Sequence, residues 1–126
     1  MADRFRADID GESKPPVVRL VGDIDRDAAD QLDVVTSDVL ARSPETVVLD
    51  FSSTGYINST GIALIVGVLA RARAAGVSLE AAGLSEHYRH VFEITRLSDF
   101  VTIRDESAVA HDSESTDKDR EGGIEP

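Results

Sequence analysis

The sequence contains no cysteine and no tryptophan, and aromatic residues make up only 5% of its 126 residues. Without cysteine there is no disulfide framework, no thiol nucleophile and no thiolate metal site. Basic residues are also scarce: 13 Lys and Arg face 24 Asp and Glu, for a formal net charge of −11. This balance argues against binding to the phosphate backbone of nucleic acids.

Long hydrophobic runs are missing as well. The longest, residues 62–70, is far shorter than the about 20 residues of a membrane-spanning helix. The amino terminus lacks the apolar core of a signal peptide. We therefore expect a cytoplasmic protein with no nucleic-acid partner and no membrane partner.

Acidic residues are concentrated at the carboxyl end of the chain. Residues 105–126 hold eight acidic side chains, two basic ones and only four apolar ones. So little apolar surface does not offset the conformational entropy lost on ordering the segment. The sequence predicts one folded domain over residues 1–104 and a disordered acidic tail over residues 105–126.

Hydrophobic periodicity predicts strands that alternate with helices. Such an order is typical of an α/β domain with a mixed, mainly parallel sheet. Residues 52–58 are assigned to a polar loop. The predicted strands are 5–10, 17–21, 46–51, 77–82 and a short strand at the end of 97–104; the predicted helices are 25–42, 59–76 and 85–94.

Two groups of side chains have the spacing of metal ligands. Asp23, Asp25 and Asp27 alternate like the start of a calcium loop, but the glycine and glutamate that such a loop requires later are replaced by other residues. Helix capping explains these acids better. His87, His90 and Glu93 share one face of a predicted helix, where a metal site is conceivable and a solvated face is favoured. No metal or cofactor is expected.

The segment from Asp50 to Leu69 is the most informative part of the chain. Ser59 and Thr60 lie where a strand and loop turn into a helix, so Ser59 is expected to be the N-cap or its neighbour. The helix that follows is apolar on more than one side. One side covers the sheet, and the other must meet a second helix or a partner protein.

This segment resembles the STAS domain (sulfate transporter and anti-sigma factor antagonist), and in particular the small bacterial anti-sigma factor antagonists. The resemblance rests on the strand at residues 47–51, on Ile57-Asn58-Ser59-Thr60-Gly61-Ile62 and on the apolar helix after them. The turn Gly22-Asp23-Ile24-Asp25 is similar to the family's turn before its first helix. Gly83-Leu84 and the stretch from Val91-Phe92 to Leu97 and Phe100 are similar to its last helix and strand. The resemblance implies a four- or five-stranded mixed sheet with helices packed on one side.

The resemblance also implies a partner-switching cycle and no enzymatic activity of the chain's own. The unphosphorylated protein binds an anti-sigma factor that is a serine kinase, which frees a sigma factor. Phosphorylation of Ser59, or Thr60 as second choice, ends the binding, and a PP2C-type phosphatase reverses it. Asn58 stands where the family usually has Asp. The chain is expected to be a monomer or weak homodimer.

The predicted partner surface combines this turn with acidic residues that precede helices or follow strands. Its members are Asp23, Asp25, Asp50, Tyr56, Ile57, Asn58, Ser59, Thr60, Gly61 and Ile62. Two other functions remain open. One is a scaffold subunit of a stressosome-like or lipid-transport complex, in which Ser59 only caps a helix. The other is a small phosphoryl- or nucleotide-handling enzyme that uses Asp23, Asp50 and Ser59.

Overall fold

A mixed β-sheet is the framework of the protein, and the computed structural model describes it over residues 4–104. Short 3-10 turns precede the first helix, at Arg26–Ala28, and follow the last, at Leu97–Asp99. The acidic segment 105–126 lies outside the described residues. The strands and helices are β1 (Arg6–Asp10), β2 (Val17–Ile24), α1 (Ala29–Leu40), β3 (Thr46–Asp50), β4 (Thr54–Ile57), α2 (Ser59–Ala74), β5 (Ser78–Ala82), α3 (Glu86–Ile94) and β6 (Thr102–Ile103).

The strands lie in the order β1-β2-β3-β5-β6, and β4 also pairs with β2. β1 is antiparallel to β2, and the other paired strands are parallel. β2 extends past the end of β3, and β4 pairs with this extension, with Gly22 opposite Thr54 and Ile24 opposite Ile57. The carboxyl ends of the parallel strands therefore meet at one end of the sheet, where strand-to-helix connections gather.

All three helices pack on one face of the sheet. In β3, Val47 and Leu49 belong to the main core together with side chains from each helix, whereas Val48 points to the opposite face. This alternation follows from the two-residue period of a strand. Phe51 and Phe92 meet edge to face in the same core, with ring centroids 6.0 Å apart. The helical members of the core are Leu32, Val35, Val39, Ile65, Leu69, Ala72 and Phe92.

The opposite face of the sheet carries a small second cluster and charged side chains. Val17, Val48 and Ala82 are buried there, and none of them belongs to a helix. The two-residue alternation of the strands places Arg19 and Glu80 on this same face. Glu80 forms an ion pair of 3.6 Å with Arg104, and Arg19 lies opposite Asp8 in the β1–β2 register.

The structure confirms the α/β class and the helices on one side, but within residues 4–104 the sheet has six strands rather than four or five. The additional strand is β4, which the sequence analysis assigned to a loop. Its four residues include Gly55 and the exposed Tyr56, so they show no alternation of buried and exposed side chains. The final strand is short and lies at the end of residues 97–104, as predicted, and a 3-10 turn at Leu97–Asp99 precedes it.

Candidate functional site at the β4–α2 turn

Asn58, and not Ser59, is the N-cap of α2. Its backbone is extended, with φ −88° and ψ −177°. Its side-chain Oδ1 accepts a hydrogen bond from the N–H of Gly61 at 2.8 Å. Ser59 is the first residue inside the helix, which resolves the prediction that it would be the N-cap or the neighbour of the N-cap. The capping role that would occupy the Ser59 hydroxyl is therefore filled by the preceding residue.

The hydroxyl groups of Ser59 and Thr60 are open to solvent. Both residues are exposed, and within residues 4–104 neither hydroxyl forms a hydrogen bond. The backbone N–H groups of a first helical turn have no acceptor within the helix. They also form the positive end of the helix dipole. An exposed hydroxyl thus stands beside a group of donors that attracts anions.

Gly61 brings the first turn of α2 against the end of β2. A Cβ atom at this position would overlap the carbonyl oxygen of Ile24 and lie 3.0 Å from Cγ2 of Ile57. Only glycine permits this close approach. Gly61 is therefore buried inside the turn and offers no side chain to a partner.

Asp23 holds β4 in place. Its Oδ1 accepts a hydrogen bond from the N–H of Tyr56 at 2.8 Å. The neighbouring Gly55 leaves room for the carboxylate, because a Cβ atom there would overlap Asp23 Oδ1. Asp23 is half-buried and acts on the local backbone, whereas Tyr56 points outward with 66% of its surface exposed.

Tyr88 of α3 supports the same turn from the other side. Its hydroxyl accepts a hydrogen bond from the N–H of Ile57 at 2.8 Å and donates one to the Ile57 carbonyl at 3.3 Å. α3 is thereby fixed to the residue that precedes Asn58. The sequence analysis missed this residue, since nothing in the local pattern of α3 connects Tyr88 to a turn 31 residues earlier.

Asp50 is buried, with 4% of its surface exposed. Its Oδ1 accepts a hydrogen bond from the N–H of Ser52 at 2.9 Å, which shapes the connection from β3 to β4. Gly83 packs against the same connection in a left-handed conformation, φ +76°, where a Cβ atom would lie 2.7 Å from the Ser52 nitrogen. Asp50 therefore stabilises the loop from inside and is not available as a contact surface.

Asp25 caps the 3-10 turn before α1, as the capping interpretation predicted. Its Oδ1 accepts from the N–H of Asp27 at 2.9 Å. Ile57 is buried, while Asn58 and Ile62 are half-buried. The structure thus brings the ten predicted residues to one end of the sheet, but only Tyr56, Ser59 and Thr60 among them are exposed. The exposed surface of this region, which we call the β4–α2 surface, consists of Tyr56, Ser59, Thr60 and, further along α2, Ala63 and Val66.

The catalytic and metal-binding alternatives gain no geometric support in the described part of the chain. Asp23 and Asp50 bond to backbone N–H groups, and neither is hydrogen bonded to Ser59. Residues 4–104 contain no group of three or more His, Asp or Glu side chains arranged to hold a metal ion, and His87 and His90 are exposed. No helix within these residues is both long enough and apolar enough to span a bilayer.

Solved structures of other proteins share this fold. An anti-sigma factor antagonist from Mycobacterium paratuberculosis is 21% identical and superposes with a TM-score of 0.63, covering 80% of this chain and 86% of the other. The anti-sigma factor antagonist SpoIIAA in its unphosphorylated form is 20% identical, with a TM-score of 0.60 and coverage of 79% and 87%. The Bacillus cell fate determinant SpoIIAA in the phosphorylated form is 20% identical, with a TM-score of 0.58 and coverage of 79% and 90%.

A family model extends the likeness from the fold to the sequence. The model described as "Mlab, STAS domain" matches residues 7–103, which is nearly all of the described chain. This stretch contains every strand and helix from the second residue of β1 to the end of β6. The protein is therefore a member of the STAS-domain family, and its fold is that of the anti-sigma factor antagonists.

Proposed function

We propose that this protein is a cytoplasmic anti-sigma factor antagonist whose binding is switched off by phosphorylation of Ser59. Unphosphorylated, it binds an anti-sigma factor that is also a serine kinase, and the sigma factor is released. The kinase then transfers the γ-phosphoryl group of ATP to the Ser59 hydroxyl, and a PP2C-type phosphatase removes it. The chain is substrate and ligand in this cycle, and ATP belongs to the kinase.

One observation carries the proposal: the Ser59 hydroxyl is exposed at the start of α2 and has no hydrogen-bond partner among residues 4–104, because Asn58 caps the helix. A hydroxyl committed to a cap would have to give up its hydrogen bond before it could reach a kinase. Two of the solved structures with this fold support the analogy, since they show SpoIIAA in its unphosphorylated and its phosphorylated form.

The domain is suited to carry a phosphate at this position. A phosphoserine adds about −1.5 to −2 charges at neutral pH. The free N–H groups and the dipole at the start of α2 stabilise such a charge. Asn58 contributes to this tolerance, because an Asp at the same place would repel the phosphate. We therefore expect the fold to change little on phosphorylation.

The partner contact, by contrast, does not tolerate the phosphate. Tyr56 and Val66 give the β4–α2 surface exposed apolar area, since they are 66% and 43% exposed respectively. The small residues Ser59 and Ala63 belong to the same surface. A partner that packs against this surface must desolvate whatever stands at Ser59. Desolvating a dianion costs far more than desolvating a neutral hydroxyl, so the complex dissociates.

The test is incubation of the protein with ATP and the anti-sigma factor kinases of its own organism, followed by phosphopeptide mapping. We expect phosphate on Ser59, none on Ser59→Ala and undiminished labelling of Thr60→Ala. Phosphate on Thr60 alone would show that the phosphorylated residue is Thr60 and not Ser59. Absence of phosphate with every kinase would overturn the switch and favour the non-switching STAS scaffold subunit.

A further inference from the structure

β1 forms an open edge of the sheet. Within residues 4–104 it pairs only with β2, so one side of the strand meets no other strand. The open edge lies on the opposite side of β2 from β4 and is separate from the β4–α2 surface. A partner bound at this edge would therefore not contact Ser59.

The hydrogen-bond pattern shows which backbone groups face outward. The carbonyl of Pro16 and the N–H of Gly22 bond away from β1, to Val48 and to Ser53 respectively. Backbone groups alternate in direction along a strand, so Val17, Arg19 and Val21 present theirs to β1. Their register partners in β1 are Asp10, Asp8 and Arg6.

Ala7 and Ile9, which alternate with those partners, therefore direct their N–H and C=O groups to the open edge. The side chain of Gln31 in α1 confirms this direction independently. Its Nε2 donates to the carbonyl of Phe5 at 3.0 Å, two residues before Ala7 on the same side of the strand. One edge carbonyl is thus already bonded to α1, and the next groups along the edge have no strand partner in the described part of the chain.

A groove runs between this edge and α1. Its volume is about 470 Å³, enough for a row of side chains from an added strand. Val34, 59% exposed, provides an apolar floor, and two exposed acidic residues of α1, Asp30 and Asp38, belong to the lining. Among the described residues, the lining has one basic side chain, that of Arg42, which lies against Gly11.

The acidic residues of the groove favour a basic binding partner. Two copies of this chain paired through β1 would bring the acidic sides of two α1 helices together, and each chain carries a net charge of −11. Such a dimer is opposed by like-charge repulsion. A segment with basic side chains is instead attracted by Asp30 and Asp38.

We propose that the β1 edge binds an extended, basic segment of a partner protein by strand addition. Main-chain hydrogen bonds to Ala7 and Ile9 supply the pairing, an apolar side chain of the segment packs on Val34, and its Lys or Arg side chains meet Asp30 and Asp38. This is the strand-addition mode, in which main-chain bonds give affinity and the side-chain groove gives specificity.

The test uses NMR titration of the ¹⁵N-labelled full-length protein with a short peptide of alternating Lys and Val. We expect the amide signals of Ala7 and Ile9 to shift and those of Ser59 and Thr60 to stay in place. A peptide with Glu in place of Lys should not bind. Ala7→Pro removes an N–H group that points to the open edge and is not bonded to β2. Proline is tolerated at such positions of an edge strand. The substitution should weaken peptide binding at least about tenfold.

A second variant keeps the test valid if proline disturbs β1. Asp30→Lys combined with Asp38→Lys changes two exposed side chains and should weaken binding by a similar factor. Glu86→Lys combined with Glu93→Lys on α3 changes the net charge by the same amount and should leave peptide binding unchanged. No shift at Ala7 and Ile9, equal binding of both peptides, or a dimer abolished by Ala7→Pro would each overturn the proposal.

Discussion

The Tyr88 hydroxyl forms hydrogen bonds with both backbone groups of Ile57, accepting from the N–H at 2.8 Å and donating to the carbonyl at 3.3 Å. In the described part of the chain, β4 pairs with β2 along one edge only. On its other edge, the Tyr88 side chain satisfies the backbone groups that a neighbouring strand would otherwise bond. The turn that presents Ser59 is held from both sides, by β2 and by α3. Its geometry therefore depends on a residue that is distant in the sequence.

Replacing Tyr88 with Phe should destabilise the domain by about 1–2 kcal/mol, because the Ile57 N–H and carbonyl lose their partner in a partly buried position. Urea denaturation measures the free energy of unfolding. Tyr56→Phe is the matched control: the Tyr56 side chain is 66% exposed, and its loss of a hydroxyl should leave stability within about 0.5 kcal/mol. Equal effects of the two substitutions would show that the Tyr88 bonds contribute nothing.

Because Asn58 caps α2, substitutions of Asn58 and of Ser59 should differ in their effect on stability. Asn58→Ala removes the acceptor of the Gly61 N–H and should cost about 1 kcal/mol, whereas Ser59→Ala should leave the free energy of unfolding almost unchanged. Asn58→Asp preserves the cap and should be close to wild type in stability. If Ser59→Ala destabilises as much as Asn58→Ala, the hydroxyl shares the capping role and is not free for modification.

Two glycines of α2 should respond to alanine in opposite ways. Gly61→Ala places a Cβ against the Ile24 carbonyl and should destabilise by about 3 kcal/mol through overpacking. Gly67 has open space where its Cβ would stand, so Gly67→Ala should stabilise by about 0.5–1 kcal/mol through the loss of backbone freedom in the unfolded chain. Thermal denaturation of both variants measures the difference.

The proposed switch predicts opposite binding by two variants that are both folded. Ser59→Ala should bind the anti-sigma factor permanently, and Ser59→Asp should bind about a hundredfold more weakly, which corresponds to roughly 2.7 kcal/mol. Isothermal titration calorimetry measures both affinities, and circular dichroism checks the fold. Ser59→Asp binding as tightly as wild type would contradict the switch.

The sequence predicted the elements whose own residues determine them. β3 is a continuous apolar run, Ser85 caps α3 by accepting the Tyr88 N–H, and Gly76 follows α2 with φ +74°. These features depend on near neighbours in the chain, so pattern and capping preference were enough. The strand-turn-helix unit around Ser59 was located for the same reason.

The parts that sequence reasoning missed depend on distant contacts. β4 is a strand only because β2 extends beyond β3 and offers it a partner. Asn58 and Ser59 are both good capping residues, and which of them caps α2 is decided by where β4 ends. The burial of Asp50 likewise follows from packing of the β3–β4 connection against Gly83, which no local pattern encodes.

The charged face of the sheet has a consequence for how the molecule behaves in a crowded solution. Within residues 4–104 no helix packs on this face of the sheet, and an apolar sheet face without a covering layer tends to associate with another one. Here Arg19, Glu80 and Arg104 stand around the buried Val48 and Ala82, so stacking would strip water from several ions at once. These charged side chains therefore oppose aggregation through this face. Replacing both Arg19 and Glu80 with Val should make the protein more prone to aggregate.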